Sequence, residues 1–537
     1  MTKISDFEAM RPAERRRVLD ALRGGATRRQ LLGMLGMAGM GLAAGGSVFT
    51  HASQALADTP KRGGSIRVAG YTSSTADTLD PAKQTASTDY VRCNLFYNKL
   101  TRIDEAGEPQ PELAETIEND KATIWTIKLR KDVTFHDGKA LTAEDVAYSL
   151  KRHLDPEVGS KAKALAAAME EIAVSGPNEV RIKLSSPNAD FPVILGTAHF
   201  HIVKDGTKDF ATAVGTGPFK CQEFTPGVRS VAVRNDGYWR DGPWLDQIEF
   251  FGLADESARV NALLSGDVHL ASTINPRSVK QLQDTGAFGV LDTRAGNYTN
   301  LIMRLDAAPG SSPDFVLGMK SLINREQIQS AIYRGYAEIA NDHPIPSSNR
   351  FYAKDIPQRP FDPDQAKFHF QKAGVLGSTI PVVASPAADN SVEMAVLLQQ
   401  EAQKIGLTLD VQRVPSDGFW SNYWMKSPVG FGNINPRPTA DLLLTLFYKS
   451  DAAWNESGWK DPKFDQLLVA ARAETDEDKR RQMYHDLQVM VRDGSGVAIP
   501  TFISNLDAYT SSLKGLKPMP TGALMGYGFG EYVWLDS

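Results

Sequence analysis

Between Trp420 and Trp459 the sequence gathers side chains suited to holding a small molecule rather than transforming one. Trp420, Tyr423, Trp424, Phe431, Phe447, Tyr448, Trp454 and Trp459 crowd together, interleaved with Asn433, Asn435, Arg437, Asp441 and Asn455. Rings supply contact area and exclude water, while a few polar groups fix orientation. For any single ring, a place in the core competes with this reading. Arg437 is the sharpest candidate. Pro436 and Pro438 hold it on a stiff, non-helical segment. A planar fork presented there suits the carboxylate or phosphate of a solute; the alternative is an internal ion pair with Asp441, four residues on.

Signatures of catalysis are missing. The chain contains no G-x-S-x-G, H-E-x-x-H, G-x-x-x-x-G-K-[ST] or C-x-x-C. His199 and His201 are spaced as metal ligands on a strand could be, but no Cys, Asp or Glu stands beside them at ligand spacing, which favours a structural role. In Gly215-Thr216-Gly217-Pro218-Phe219 the proline removes a donor that a phosphate loop would use, so the segment reads as a chain reversal into a strand. Neither a cofactor nor a metal is expected.

The elements that must position the aromatic stretch are of α/β type. Trp125, Ile127 and Leu129 alternate with polar residues, the period of a half-buried strand. Val133 and Phe135 resume the alternation, Asp137-Gly138 turns the chain, and Thr142 with Asp145 has capping-box spacing before a helix bearing Val146 and Leu150. Helices are predicted over 162–171, 258–266 and 315–333, and one begins at Pro363 with Asp362 as N-cap. Strand 380–384, helix 391–405 and strand 407–414 make a βαβ unit.

The N-terminus reads as a removable export signal. Arg28-Arg29 precedes a glycine-interrupted apolar segment, and Ala55-Leu56-Ala57 offers a small-x-small cleavage site, so residues 1–57 resemble a Tat signal peptide. No cysteine follows the apolar run, which argues against a lipoprotein anchor. Removing eight Lys/Arg and four Asp/Glu leaves 51 against 60, a net charge of −9, with no basic tract for nucleic acid or anionic lipid. Beyond Phe49 no apolar run is long enough to span a bilayer. Cys93 and Cys221 can pair in an oxidising compartment or remain buried thiols; sequence separation leaves both open.

The run L-R-K-D-V-T-F-H-D-G-K-A-L-T-A-E-D-V from Leu129 to Val146 resembles the signature region of the family 5 extracytoplasmic solute-binding proteins, which serve ABC importers for dipeptides, oligopeptides and nickel. Further pieces follow in the family's order: Leu79-Asp80-Pro81, Asn94 to Leu100, the Gly215 to Phe219 element, Asn235 with Tyr238-Trp239, Asn324-Arg325-Glu326, and Phe361 to Lys367. The resemblance implies a periplasmic-binding-protein-like type II fold, two lobes around a ligand cleft with an extra subdomain on the first. It places residues 58–98, 220–305 and 495–537 in lobe I, 99–219 in the subdomain and 306–494 in lobe II. Tyr71 and the loop to Asp77 would face the aromatic stretch from the opposite lobe. Peptide binders of the family carry an aspartate for the ligand's amino terminus on the segment corresponding to Asn433–Arg437, and dipeptide binders an arginine near 384–389. Here these stretches read NINPR and ASPAAD. The resemblance thus implies a soluble, monomeric periplasmic binding protein, not an enzyme. Its partners would be ABC permease subunits and a peptide-like, opine-like or sugar-conjugate solute, with no nucleic acid. The competing reading is a Tat-exported hydrolytic or cofactor-dependent enzyme.

Overall fold

The computed structural model describes residues 59–536 together with Val18, so the expected signal segment 1–57, its twin arginines included, lies outside the described residues apart from that one position. Alternation at Trp125, Ile127 and Leu129 does make a strand, with all three side chains buried. Gly138 takes φ +85° at the turn. Thr142 caps the following helix, Ala143–Arg152, in an unexpected sense: the Asp145 carboxylate accepts both the Thr142 N–H (2.8 Å) and its hydroxyl (2.7 Å).

Of the twenty strands among the described residues, fourteen carry the architecture. They are β1 (Ser65–Gly70), β2 (Ala114–Asp120), β3 (Ile124–Leu129), β4 (Met169–Gly176), β5 (Glu179–Leu184), β6 (Phe219–Thr225), β7 (Arg229–Arg234), β8 (Gln247–Gly252), β9 (Leu270–Ala271), β10 (Phe288–Met303), β11 (Thr379–Ala384), β12 (Thr408–Arg413), β13 (Val429–Ile434) and β14 (Thr501–Thr510). The helices used below are α1 (Ser87–Phe96), α2 (Ser391–Lys404), α3 (Ala440–Phe447), α4 (Pro462–Ala473) and α5 (Glu477–Gly494).

One mixed sheet runs in the order β12-β11-β13-β10-β14-β9-β1-β8-β7-β6. Its two halves belong to two lobes with separate cores. Ile66, Val68, Phe96, Phe219 and Phe250 fill the first. Leu301, Phe315, Phe370, Val382 and Phe431 fill the second, backed by a further layer around Tyr298, Leu444, Phe464 and Tyr484. The stretch 99–219 supplies an antiparallel sheet, β2-β3-β5-β4, with its own core about Trp125, Ile127 and Leu150.

β10 and β14 cross between the lobes. β10 pairs with β14 from Phe288 to Asn297, slips register between Arg294 and Asn297, then pairs with β13 from Tyr298 to Met303. A single strand that changes partner midway is a natural hinge, because rotation there disturbs few ladder bonds.

Two expected helices needed correction. The helix predicted over 162–171 is only Lys163–Ala166, after which β4 begins at Met169 and buries that residue and Ile172 against the subdomain core. The helix predicted over 315–333 stops at Leu322, because Asn324 turns its side chain to cap a new start at Arg325–Gln327. Cys93 and Cys221 are free thiols, Cys93 pointing at the Leu79 carbonyl (3.7 Å). The Gly215 element is a backbone docking site: a Cβ at Gly215 or Gly217 would collide with the main chain at Phe96–Tyr97, and the Gly217 N–H donates to Phe96 O (3.0 Å).

Candidate functional site

Strand direction fixes where the two lobes confront each other. β10 runs from the first lobe to the second; β14 is antiparallel to it, and β9 is antiparallel to β14. β9, β1 and β8 are mutually parallel, so their carboxyl ends point at lobe II. β13 is antiparallel to β10 and parallel to β11, which is parallel to β12, so these carboxyl ends point back at lobe I. Loops leaving the carboxyl ends of parallel strands are where α/β sheets bind ligands, and here two such edges face each other across a hinge.

On the lobe I side Tyr71 follows β1 directly. Tyr90 of α1 stands nearby, its ring 5.2 Å from that of Tyr527 and 5.6 Å from His199. Burial raises the Tyr90 and Tyr527 phenols, with Tyr71 close enough to add to both shifts, so this wall is aromatic and uncharged at neutral pH. Asp77, at the far end of the Tyr71 loop, is sequestered in a buried pair with Arg92 (2.8 Å). The two histidines of the loop 198–203 are bonded to backbone: His199 Nε2 to Gln84 O (3.1 Å), His201 Nδ1 to Ala198 O (2.6 Å).

On the lobe II side Arg437 follows β13. Its Nη1 donates to its own neighbours, Asn435 O (2.9 Å) and Pro436 O (3.2 Å), and the guanidinium lies 5.3 Å above the Phe447 ring. The Trp454 ring packs beside that same phenylalanine at 5.6 Å and remains 43% exposed. Burial lowers the Arg437 pKa, partly opposed by Tyr298. The ion pair weighed for Arg437 does not form. Asp441 is taken instead by Arg472 (2.9 Å), its carboxyl pushed up to about 6 by burial, and among the described residues no carboxylate pairs with Arg437.

The other singled-out residues divide in two. Asn433 on β13 donates to Tyr298 O (3.2 Å) and Thr299 Oγ1 (3.0 Å), and Asn435 beyond it is exposed at the rim. Trp420, in the short helix Phe419–Asn422 that follows β12, is 43% exposed and makes an edge contact with Trp424 at 5.5 Å. Tyr423 is half-buried against the lobe II core. By contrast, Trp424 donates its indole N–H to buried Glu456 (2.7 Å), and Asn455 ties Lys449 O (3.2 Å) to Trp459 O (2.6 Å). Trp424, Asp441 and Asn455 are thus bound into lobe II itself.

Sequence reasoning missed Asp389. It follows β11, is exposed, and among the described residues its carboxylate accepts only Asn390 Nδ2 (2.9 Å); its backbone oxygen takes the Thr299 hydroxyl (2.6 Å), which links it to Asn433. Although the residue as a whole is exposed, partial desolvation of the carboxyl group, helped by nearby Glu393 and opposed by Asn390, raises its pKa, and no cation pairs with it among the described residues. The signal was present: a parallel strand at 379–384 already directs the next loop to the crevice. Tyr527 had no such signal, being carried by an irregular tail.

Comparison with known proteins places the chain in a family and a fold. Residues 108–467 match the family model described as bacterial extracellular solute-binding proteins, family 5 Middle. The dipeptide-binding protein of Escherichia coli K12 is 25% identical, the match covering 83% of this chain and 90% of that one. Two solved structures share the fold: Helicobacter pylori DppA in complex with the peptide STSA (TM-score 0.70, 22% identical, 89% and 99% covered) and AgaA of A. tumefaciens R10 with agropinic acid (TM-score 0.68, 22% identical, 88% and 99% covered). With two thirds of its length inside that family model and the type II two-lobed fold around it, the chain belongs to the family 5 extracellular solute-binding proteins.

Proposed function

We propose that the solute is held between the two facing carboxyl edges, with the rings of Tyr71, Tyr90 and Tyr527 on one side and Arg437, Asp389, Asn433, Asn435, Trp420 and Trp454 on the other. The chain is a substrate-binding component of an ABC importer. It works in the periplasm, delivered there by the twin-arginine segment, and acts as a monomer that passes the solute unaltered to the permease subunits. Lobe I comprises 58–98, 220–305 and 495–537, the subdomain 99–219, and lobe II 306–494.

One observation carries this reading: among the described residues, Asp389 and Arg437 each lack an ion-pair partner, beyond the ends of parallel strands on the same rim. Holding an unpaired charge in a half-enclosed crevice costs free energy that a complementary ligand group recovers. The solute is accordingly small, organic and dipolar, with its anionic group at Arg437 and its cationic group at Asp389. Peptide-like and opine-like compounds carry such charges. A related structure holds agropinic acid and another the peptide STSA, which supports screening both classes. Closure follows because a ligand touching both walls stabilises only the closed arrangement.

A thermal-shift screen of di- and tripeptides, opines and sugar conjugates tests this. A hit at a hundredfold excess over its dissociation constant stabilises the protein by about 2.7 kcal/mol. The expected hit carries both charges and loses its shift in Arg437→Ala. A hit with neither charge contradicts the assignment.

A further inference from the structure

The C-terminal tail contains a turn of left-handed backbone. Leu524 (φ 51°, ψ 47°) and Met525 (φ 56°, ψ 48°) are followed by Gly526 (φ 64°) and Tyr527 (φ 70°). For residues with a Cβ this region is disfavoured, and a run of it persists only where surrounding structure enforces it. A further left-handed residue, Thr273 (φ 53°), lies two positions beyond the carboxyl end of β9, on the same crevice edge as Tyr71.

One side chain holds both. The two oxygens of Asp507 divide the work: Oδ1 accepts the Thr273 N–H at 3.1 Å and Oδ2 the Leu524 N–H at 2.6 Å. Asp507 is wholly buried on crossing strand β14, opposite Leu291 of β10. No cation pairs with it among the described residues, and burial pushes its carboxyl up to about 6. A lone buried carboxylate is a poor choice for stability alone, since an apolar residue fills such a position at less cost. What it supplies is two acceptors at fixed spacing, and the turn they anchor ends in Tyr527, whose ring packs on Tyr90.

We propose that Asp507 is a positioning residue for the lobe I wall: its two oxygens lock Thr273 and Leu524 in left-handed backbone and so set the Tyr527 ring beside Tyr90 and Tyr71. The inference rests on the crevice reading above for its functional meaning, but its geometry is read in solute-free protein. Failure to find a solute and failure of this positioning role are therefore separate results.

The test is 19F NMR of the full chain carrying 3-fluorotyrosine, with the Tyr527 line assigned by Tyr527→Phe. Asp507→Asn preserves size but turns an amino group toward one of the two N–H donors. The Tyr527 line is expected to shift or split, while lines from Tyr298 and Tyr484 in the lobe II core stay in place. Adding Leu524→Gly, which removes the Cβ penalty of the left-handed turn, is expected to return the Tyr527 line toward its wild-type position. A merely structural carboxylate would give neither the selective shift nor the glycine rescue. An unchanged Tyr527 line in folded Asp507→Asn overturns the proposal. If that variant does not fold, amide exchange in the wild type decides: the Thr273 and Leu524 N–H groups are expected to be protected, and exchange at both as fast as in an unstructured peptide overturns it.

Discussion

Arg350 Nη2 lies 2.6 Å from Asp190 Oδ1, an ion pair that ties the lobe II core to the subdomain hung on lobe I. Arg480 of α5 approaches the same carboxylate oxygen at 2.8 Å, and both guanidinium groups stack over Phe351, at 4.5 Å and 4.8 Å. The Ala189 N–H adds a backbone bond to Arg472 O (2.9 Å) at the end of α4. Far from the crossing strands, then, a second contact bridges the halves of the molecule.

Removing Asp190 takes the short ion pair from Arg480, which is almost fully buried, leaving it the Ala471 carbonyl (3.2 Å) and a more distant Glu477 carboxylate (3.7 Å). Asp190→Ala should cost about 3–5 kcal/mol in urea unfolding, the usual penalty for breaking a buried pair from one side. Arg350→Ala leaves the Asp190–Arg480 pair intact and should cost about 1.5–3 kcal/mol, the range for a charged hydrogen bond. Equal losses in the two variants would contradict this division.

Arg437→Ala should weaken solute binding at least tenfold, about 1.4 kcal/mol, without lowering the melting temperature. The side chain donates only to carbonyls of its own segment, so nothing buried is left unpaired. Arg437→Lys should recover only part of the affinity, because a point charge replaces a planar fork. Calorimetric titration with the screening hit measures both.

Asp389→Asn tests the opposite end of the solute. The expected result is a loss of affinity comparable to that in Arg437→Ala, confined to solutes bearing a cationic group, with stability unchanged, since the residue is exposed and pairs only with neighbouring Asn390. Titration of a matched pair of solutes, one with a free amine and one acylated, reads the difference.

Much of this arrangement was legible in the sequence and some was not. The alternation at Trp125–Leu129 and the unit around 379–413 give correct elements because local period and burial agree. The aromatic stretch after Trp420 attracted notice by composition, yet composition is blind to which indole is spent internally. Trp424 and Trp420 look alike in sequence, and only the Glu456 carboxylate across the sheet separates them. Arg437 and Asp441 stand at ion-pair spacing, but the proline-bound segment points one way and the first turn of α3 the other, toward Arg472. Asp507 carries no local signature, since both of its partners come from segments remote in the chain.

Glu456 is buried with its carboxyl pushed up to about 7 and accepts from Trp424 and Asn300. Its folded pKa exceeds the ordinary glutamate value of 4.5, so the native state holds a proton that the unfolded chain releases as pH rises. Its contribution is therefore full below about 4.5 and is lost as pH climbs through about 7. Glu456→Gln should flatten the fall in melting temperature across that window. Asn300 Oδ1, buried without a hydrogen-bond partner among the described residues, can turn to accept from the new amide. An unchanged slope would show that Glu456 does not titrate there.

The most direct measurement is native mass spectrometry of the full chain expressed with export and purified without denaturation, followed by chemical analysis of whatever is released. The account predicts one small organic species bound one to one, carrying both a cationic and an anionic group, recovered with its mass unchanged after prolonged incubation and no longer retained by the Arg437→Ala, Asp389→Asn double variant. Conversion of the species during incubation, or undiminished retention by the double variant, would contradict capture in this crevice.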